Sequence, residues 1–306
     1  MLVTPTAAAG LAREGRIADA LQALSEEPPS VATLALALEC RLARGEIELA
    51  LGIGEQLATH RRLSGADAAR AALALGELAA ATGRDEEAAA HFLRAGEHAG
   101  DQADAVELPW RAGAALSLIR AGHHQESRRL ALEHLATARA QGSPYAVAGA
   151  LRTVAAVCSG RREDALREAR RILGDDHPRL AATIDTDLAG LLTLMGGATG
   201  QLEAVTLLRS AEAYADVEDL WPLHGRVRRL LERLGQQPVP LRCEAIATLT
   251  ELEHQLAHLA AGGSSNRQIA EQEGLTVKTV EWHLSRAYRK LGIRSRRELP
   301  RSLKLV

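Results

Sequence analysis

Apolar residues recur at three- and four-residue spacing from residue 6 to about residue 235, which is the period of an amphipathic helix. Glycine, proline or a Gly-Asp pair breaks this pattern at intervals. Convincing alternation of apolar and polar residues is absent, and valine and isoleucine are sparse beside alanine and leucine. The pattern therefore predicts an all-α body.

One stretch of this body, "ALALGELAAATGRDEEAAAHFLRAGEHA", carries small and apolar residues at regular intervals. They are Leu75, Gly76, Ala79, Gly83, Ala88, Phe92 and Ala95. Their intervals resemble those of a tetratricopeptide repeat, which is a hairpin of two antiparallel helices. Small side chains let the two helices approach, Gly83 ends the first helix in the left-handed conformation, and Phe92 fills the remaining gap.

Glycine followed five positions later by alanine recurs along the body. The pairs are Gly15/Ala20, Gly45/Ala50, Gly83/Ala88 and Gly160/Ala165, with Gly122/Ser127 as a variant and Gly200/Ala204 one residue out of register. The first five glycines are 30, 38, 39 and 38 residues apart, slightly more than the roughly 34 of the standard repeat. This spacing predicts a tetratricopeptide-like solenoid of about six helical hairpins. An irregular helical bundle is the alternative.

The sequence pattern changes after residue 235. A proline-containing linker over 236–245 separates the repeat domain (1–235) from a C-terminal domain (246–306). Helix-capping residues there predict four short helices: Thr250 with Glu253, Ser265 with Gln268, Thr276, and Ser295 with Glu298. The second helix stops at Gly274 and the third, basic helix runs to Leu291. A short helix, a turn at "EGLT" and a longer helix form the outline of a helix-turn-helix.

The stretch "LTELEHQLAHLAAGGSSNRQIAEQEGLTVKTVEWHLSRAYRKLGIRSRREL" resembles a LuxR-type helix-turn-helix domain. The elements that carry the resemblance are "SNRQIA", "TVKTVEWHL" and "KLGIRSR". The "TVEWHL" form after helical repeats is similar to the large ATP-binding LuxR-type regulators. Those relatives have an ATPase domain upstream of the repeats. This chain has no such domain, so dependence on ATP is not expected and no cofactor is predicted.

The third helix has a buried stripe and an exposed face. Val280, Leu284, Ala287 and Leu291 recur at helical intervals on the buried side. The opposite face offers groups that suit base edges, and in the resembling family the positions of the first three are those that meet bases: Glu281, Trp282, Ser285 and Lys278. Phosphate contacts, for which Lys278 is also suited, are expected from Ser265, Asn266, Thr276, Thr279, Arg286, Arg289 and Lys290. His283 is expected to be structural.

The charge distribution agrees with a DNA-binding C-terminus. The whole chain has a formal net charge of −2, yet residues 245–306 hold ten Lys+Arg against six Asp+Glu. Residues 1–244 therefore hold 27 against 33. The three lysines of the chain, Lys278, Lys290 and Lys304, all lie in the basic part. A polyanion is the partner that such an asymmetry predicts, and strongly charged lysines suit its phosphates.

Several classes of chemistry are excluded or unsupported. No lysine precedes Lys278, so the body has no phosphate-binding loop of the G-x4-G-K-[ST] kind and no Schiff-base lysine. Three distant cysteines predict free thiols, and the chain has neither a signal peptide nor a membrane-spanning run, which predicts a cytoplasmic, non-membrane protein. His254 and His258 lack an evident third metal ligand. No catalytic constellation is present, so we expect no enzyme activity and no metal.

The leading hypothesis is a bacterial transcription regulator that binds double-stranded DNA through its C-terminal domain. RNA polymerase, or a peptide or small effector, is a further partner expected on the solenoid. A protein-interaction scaffold and a sigma-factor-like promoter-recognition protein are the alternatives.

A homodimer is also expected, because helix-turn-helix proteins read paired half-sites. Pro300 at the fifth position of the fourth helix predicts a short, kinked or frayed helix that makes a poor dimer surface. The apolar N-terminal hairpin is predicted to form the interface instead.

Overall fold

The computed structural model describes residues 7–59, 63–100, 106–237, 246, 248–293 and 295–303. The chain forms two compact units, Met1–Gln237 and Pro238–Val306. Both are helical, and the described residues contain no β-strand. None of the described helices combines the length and the apolar character needed to cross a membrane. Of the predicted linker, 236–245, residues 238–245 lie outside the described part.

The first unit is a succession of antiparallel helices. They are α1 (Ala7–Arg13), α2 (Ile17–Glu26), α3 (Val31–Arg44), α4 (Ile47–Thr59), α5 (Gly65–Ala81), α6 (Asp85–Ala99), α7 (Trp110–Arg120), α8 (His124–Gln141), α9 (Pro144–Val157), α10 (Arg162–Leu173), α11 (Pro178–Met195), α12 (Ala198–Val217) and α13 (Trp221–Arg233). Each packs against its neighbour in sequence, and odd-numbered helices also pack on one another, as in α3 on α5 and α7 on α9. This stacking of hairpins is the predicted solenoid.

Four of the turn glycines have the left-handed backbone that ends a helix without strain. Gly15, Gly45, Gly83 and Gly122 have φ between 74° and 89°. The next two pairs differ from these four. At the α9–α10 turn it is Arg161, with φ 55°, and not Gly160, that adopts this conformation. Gly200 lies inside α12, whose preceding turn uses Gly196 and Gly197.

Small residues allow close packing where the repeat pattern requires it. A Cβ on Gly76 would lie 2.8 Å from the Phe92 ring, and one on Gly113 would lie 2.5 Å from it. Phe92 is only 3% exposed and fills the space between α5, α6 and α7, as predicted. Ser127 replaces alanine without cost because its buried hydroxyl donates to the Ala115 carbonyl at 2.7 Å.

The first hairpin is covered by the last helices of the same unit. Ile17 and Ala20, fully buried, share an apolar cluster with Ala215 and Leu220. The Glu218 carboxylate accepts hydrogen bonds from the Ile17 and Ala18 amides at the start of α2, at 2.9 and 3.3 Å. The predicted open apolar surface on the N-terminal hairpin is therefore wrong, because α12 and α13 occupy it. Removal of residues 1–60 would therefore expose Ala215 and Leu220 of this cluster.

The odd-numbered helices surround a cavity of about 330 Å³ in this unit. Its lining includes one residue from each odd-numbered helix from α1 to α9, namely Arg13, Glu39, Glu77, Leu116 and Tyr145. The Glu39 carboxylate is paired with Arg179 of α11. Within the described residues, Glu77 has neither a hydrogen bond nor an ion pair. The cavity therefore contains one carboxyl group that the protein does not neutralise.

The second unit contains α14 (Glu251–Ala261), α15 (Asn266–Glu273), α16 (Val277–Leu291), a 3₁₀ turn (Arg296–Glu298) and α17 (Leu299–Ser302). The capping boxes predicted from sequence at Thr250/Glu253 and Ser265/Gln268 are both formed. Thr276 caps α16, and Gly274 and Gly292 end the two helices of the helix-turn-helix with φ of 66° and 67°. Leu256, Ile269, Val280, Leu284 and Leu299 form its core.

The end of this unit differs from the prediction at Pro300. The predicted fourth helix begins as a 3₁₀ turn, and the α-helix itself starts only at Leu299. Pro300 therefore lies in the first turn of α17, where its missing N–H would have had no helical partner in any case. The expected proline kink is absent because the change of helix type moves Pro300 from the interior to the N-terminus. Leu299 and Leu303 are buried in the core.

Candidate nucleic-acid interface

The geometry of α16 separates its core-facing residues from a polar, exposed face. Val280, Leu284 and Ala287 are 3% exposed or less and pack on α14 and α15. The side chains on the outer face are solvent-exposed: Lys278, Glu281, Trp282, Ser285 and Arg289. The structure thus brings the four predicted base-contacting residues together on one surface, with Arg289 one turn beyond them.

The N-terminus of α16 has free amide groups that favour an anion. The Thr276 hydroxyl accepts from the Thr279 amide at 3.1 Å and lies 2.8 Å from the Thr279 hydroxyl. These two predicted phosphate-contacting residues form the cap itself. They lie beside the exposed Lys278, which has no ion-pair partner among the described residues.

Trp282 is held at the surface and not in the core. Its side chain is 54% exposed, so a large apolar surface is in contact with water. The Arg286 guanidinium lies 4.6 Å from the centre of the indole, in cation–π geometry, and the His283 ring meets the indole edge-on at 4.7 Å. His283 is partly buried, as expected of a structural residue. Trp282 therefore presents a fixed apolar surface outward.

Glu253 links α14 to α16 through two ion pairs. It is 1% exposed, and it pairs with Lys290 and, at 3.1 Å, with the Arg286 Nε. Burial alone would raise the pKa of Glu253. Hydrogen bonds from Lys290 and the Thr250 amide, with the charges of Lys290 and Arg286, outweigh burial and hold the pKa at about 2. Glu253 is therefore ionised at neutral pH.

This network gives two predicted phosphate-contacting residues an internal role. The Lys290 ammonium also donates to the Thr248 carbonyl at 2.8 Å, so its donors are directed into the domain. Arg286 bridges Glu253 and Trp282. Lys290 therefore has internal partners, and its contact with phosphate stays a prediction. Lys304 lies outside the described residues.

The start of α15 is similarly engaged. The Ser265 hydroxyl lies 2.8 Å from the Gln268 side-chain oxygen and caps the helix. The Asn266 side-chain oxygen accepts from Arg296 at 2.8 Å, and Arg296 also binds the carbonyls of Ala260 and Ser264. Both predicted phosphate-contacting residues are thus fixed in place, with the Asn266 amide still available as a donor.

Sequence reasoning missed an exposed cation of this surface and the partners of a buried carboxylate beneath it. Arg267, in the first turn of α15, is exposed and has no ion pair within the described part of the chain. The sequence did contain a sign of Arg267, because it is the only cation of the second predicted helix and lies in its opening "SNRQ". From the sequence, Glu253 was interpreted only as a helix-capping residue, because its partners on α16 lie more than 30 residues further along the chain.

His254 and His258 lie side by side on α14. The rings of His254 and His258 lie 4.4 Å apart. Among the residues that the structure describes, no group of three or more His, Cys, Asp or Glu is placed to hold a metal ion.

In the first unit, His123 lies 3.2 Å from Glu86 at the surface. Trp110 packs against Gly96, where a Cβ would lie 2.6 Å from the indole.

Comparison with known proteins assigns the second unit. Residues 247–303 match the family described as bacterial regulatory proteins, luxR family, and form a LuxR-type helix-turn-helix domain. The chain is also 31% identical over 98 residues to the response regulator Rre1 of Synechocystis sp.. That match covers 30% of this chain and 41% of the relative, so it spans less than half of the relative's length.

Proposed function

We propose that this protein, whose residues 247–303 are a LuxR-type domain, is a sequence-specific DNA-binding transcription regulator that acts in the cytoplasm. The observation that carries the proposal is the exposed face of α16. It combines a cation, a carboxylate, an indole and a hydroxyl on a capped helix. A helix with this surface fits the major groove, where Glu281 accepts from cytosine and Trp282 contacts a thymine methyl.

The contacts divide into two groups. We assign base reading to Glu281, Trp282 and Ser285. Phosphate binding falls to exposed cations without internal partners, Lys278, Arg267 and Arg289, and to the α16 N-terminus with Thr276 and Thr279. The proposal differs from the sequence-based one for Lys290 and Arg286, which act through Glu253 and Trp282, and for Ser265 and Asn266, which hold the start of α15.

Binding should weaken steeply with salt. Roughly four neutralised phosphates per domain predict a log–log slope of about −3 to −4 for affinity against salt concentration. The measurement is fluorescence anisotropy of the full chain with genomic fragments that it selects, between low and physiological salt. A flat response would argue for the scaffold alternative, in which the C-terminal helices do not meet a polyanion.

Variants on α16 should separate base reading from phosphate binding. Glu281→Ala and Trp282→Ala should change the preferred sequence, each with a loss of about 1–3 kcal/mol on the selected site. Lys278→Ala and Arg289→Ala should weaken all sequences alike and reduce the salt slope by about one each. Arg128→Ala, an exposed arginine of α8 in the other unit, is the control and should change neither. Identical behaviour of all four α16 variants would reject this orientation of the helix.

The proposal includes a homodimer, because two half-sites about one DNA turn apart require two copies. We do not assign its interface to the N-terminal hairpin, because Ile17 and Ala20 of that hairpin pack within the unit against Ala215 and Leu220. Docking of RNA polymerase, or of a peptide or small effector, belongs to the repeat unit. The stacked hairpins support this assignment, because such solenoids use their concave face for binding.

A further inference from the structure

The repeat unit contains a second cavity, of about 690 Å³, with an unusual charge. Helices α7, α9, α10, α11 and α13 contribute to its walls. Six of the lining residues are arginines: Arg120, Arg152, Arg162, Arg226, Arg229 and Arg233. Asp187 is the one acidic residue in the lining. We call this surface the arginine groove.

The charges of the arginine groove are only partly neutralised by the protein. Asp187 lies between two guanidiniums, at 2.6 Å from both Arg152 and Arg226. Arg162 donates to the Ala155 carbonyl, which carries no net charge. In the described part of the chain, Arg229 and Arg233 form no ion pair, and both are solvent-exposed. Arg120 lies 3.5 Å from Asp85 of α6, so three of the six guanidiniums, those of Arg162, Arg229 and Arg233, have no acidic partner within the described residues.

Composition does not account for this clustering. Residues 1–244 carry more Asp+Glu than Lys+Arg, so a random part of this surface would be acidic. Guanidiniums placed together repel one another, and a concave wall concentrates their field. Arginine is also the residue best suited to phosphate, because its planar donors bind two oxygens at once. The arrangement is favourable once an anion occupies the groove.

The walls also offer apolar contact. Leu116 and Leu191, which are half-buried, and Leu194, which is largely exposed, lie among the arginines. The volume falls in the range of small-molecule sites, about 300–1,000 Å³. A ligand that matches both features has an organic, planar or apolar part and more than one negative charge.

We propose that the arginine groove binds a nucleoside diphosphate or triphosphate, with its phosphates on Arg229, Arg233 and the neighbouring arginines and its base against the leucines. Binding itself does not depend on the function proposed above. Its use as an effector signal rests on that function, since the signal would have to change DNA binding.

The test is calorimetry of the full chain with ADP, GDP, ATP and GTP, and with AMP and inorganic phosphate for comparison. We expect the di- and triphosphates to bind at least about tenfold more tightly than AMP, because each added phosphate engages further guanidiniums. The double variant Arg229→Gln/Arg233→Gln should weaken binding by about tenfold or more. Neither arginine contributes an ion pair to the fold within the described residues, so the variant should remain folded.

The matched control is Arg128→Gln/Arg171→Gln, which removes two exposed arginines of α8 and α10 that lie outside the groove. It should leave nucleotide binding unchanged. An equal loss in the two double variants would overturn the proposal, as would tighter binding of a poly-glutamate peptide than of any nucleotide. Absence of heat with every nucleotide at millimolar concentration would also reject it.

A DNA-binding measurement with and without bound nucleotide separates the two proposals. A change in DNA affinity that the Arg229→Gln/Arg233→Gln variant loses would support the effector role. Nucleotide binding without any change in DNA affinity would remove that role and keep the site. Failure of the chain to bind DNA would count against the transcription-regulator function, while calorimetry still decides the groove.

Discussion

Replacement of Glu77 by glutamine should stabilise the repeat unit at pH 8.5 by roughly 2–4 kcal/mol and leave it nearly unchanged at pH 5. Glu77 projects from α5 into the smaller cavity, where no described residue pairs with it. Glutamine has the same shape as a protonated glutamate, so the substitution removes only the ability to ionise. A gain of this size from a single side chain would be unusual.

The sign follows from the pKa of Glu77. Burial, and next the negative charge of Glu39, raise it to about 8 from an ordinary value of 4.5, against an opposing contribution from Arg179. Between these two values the folded state holds a proton that the unfolded chain has released. Stability therefore falls as the pH rises through this range, and the full cost is present above pH 8. At about 1.36 kcal/mol per pH unit, that cost has an upper limit of about 5 kcal/mol, and the partial exposure of Glu77 in the cavity reduces it.

Hydrogen exchange resolved by mass spectrometry suits this test, because peptides from α5 report on the repeat unit alone. Wild type and Glu77→Gln are compared at the same pH, at 5, 7 and 8.5. Glu39→Gln is the control with the opposite expectation, since it leaves Arg179 without its carboxylate and should destabilise the unit. An equal difference between wild type and Glu77→Gln at all three pH values would contradict the raised pKa.

Local signals in the sequence predicted the helices well, because the interactions that end a helix span only a few residues. Thr250, Ser265 and Thr276 bond to amides three positions further on, and Gly274 and Gly292 end the helices that follow. Such contacts are visible in the chain itself. The same holds for the exposed face of α16, which follows from a period of 3.6 residues.

Contacts between distant residues were beyond such reasoning. The amide of Ile17 bonds to Glu218, 201 residues away, and this closure covers the hairpin that was predicted to dimerise. Helical periodicity shows that a face is apolar but not which helix covers it. Lys290 illustrates the same limit, because a basic residue on a DNA-binding helix has the same pattern whether it meets phosphate or a buried carboxylate.

Glu253→Gln should destabilise the C-terminal unit by about 3 kcal/mol at pH 7 and have little effect near pH 2. The ionised Glu253 in the folded state has a pKa of about 2, below the ordinary 4.5, because Lys290 and Arg286 favour its charge more than burial opposes it. Between these values the unfolded chain binds a proton that the folded state does not. The stabilisation is therefore complete above about pH 4.5 and is lost as the pH falls toward 2, the reverse of the dependence expected for Glu77.

Exchange of amides in α14 and α16 measures this effect in the full chain. Glu251→Gln is the matched control, since it removes an exposed carboxylate from the first turn of the same helix. It should change stability by less than about 1 kcal/mol at every pH. A loss for Glu253→Gln that persists at pH 2 would mean that packing, not charge, is the source of its effect.

A double-mutant cycle then decides what Lys290 does. If Lys290 acts through Glu253, Lys290→Ala should lower the stability of the wild-type domain and have a much smaller effect in the Glu253→Gln variant, with a coupling of about 1–3 kcal/mol. A phosphate contact predicts the other result, in which Lys290→Ala reduces DNA affinity equally in both backgrounds and leaves stability alone. We expect Lys290 to act through Glu253, because Glu253 is buried and both of its cationic partners lie on α16.

One of those partners, Arg286, also stacks on Trp282. Glu253→Gln should therefore weaken sequence preference at the base that Trp282 contacts before it weakens binding to DNA in general.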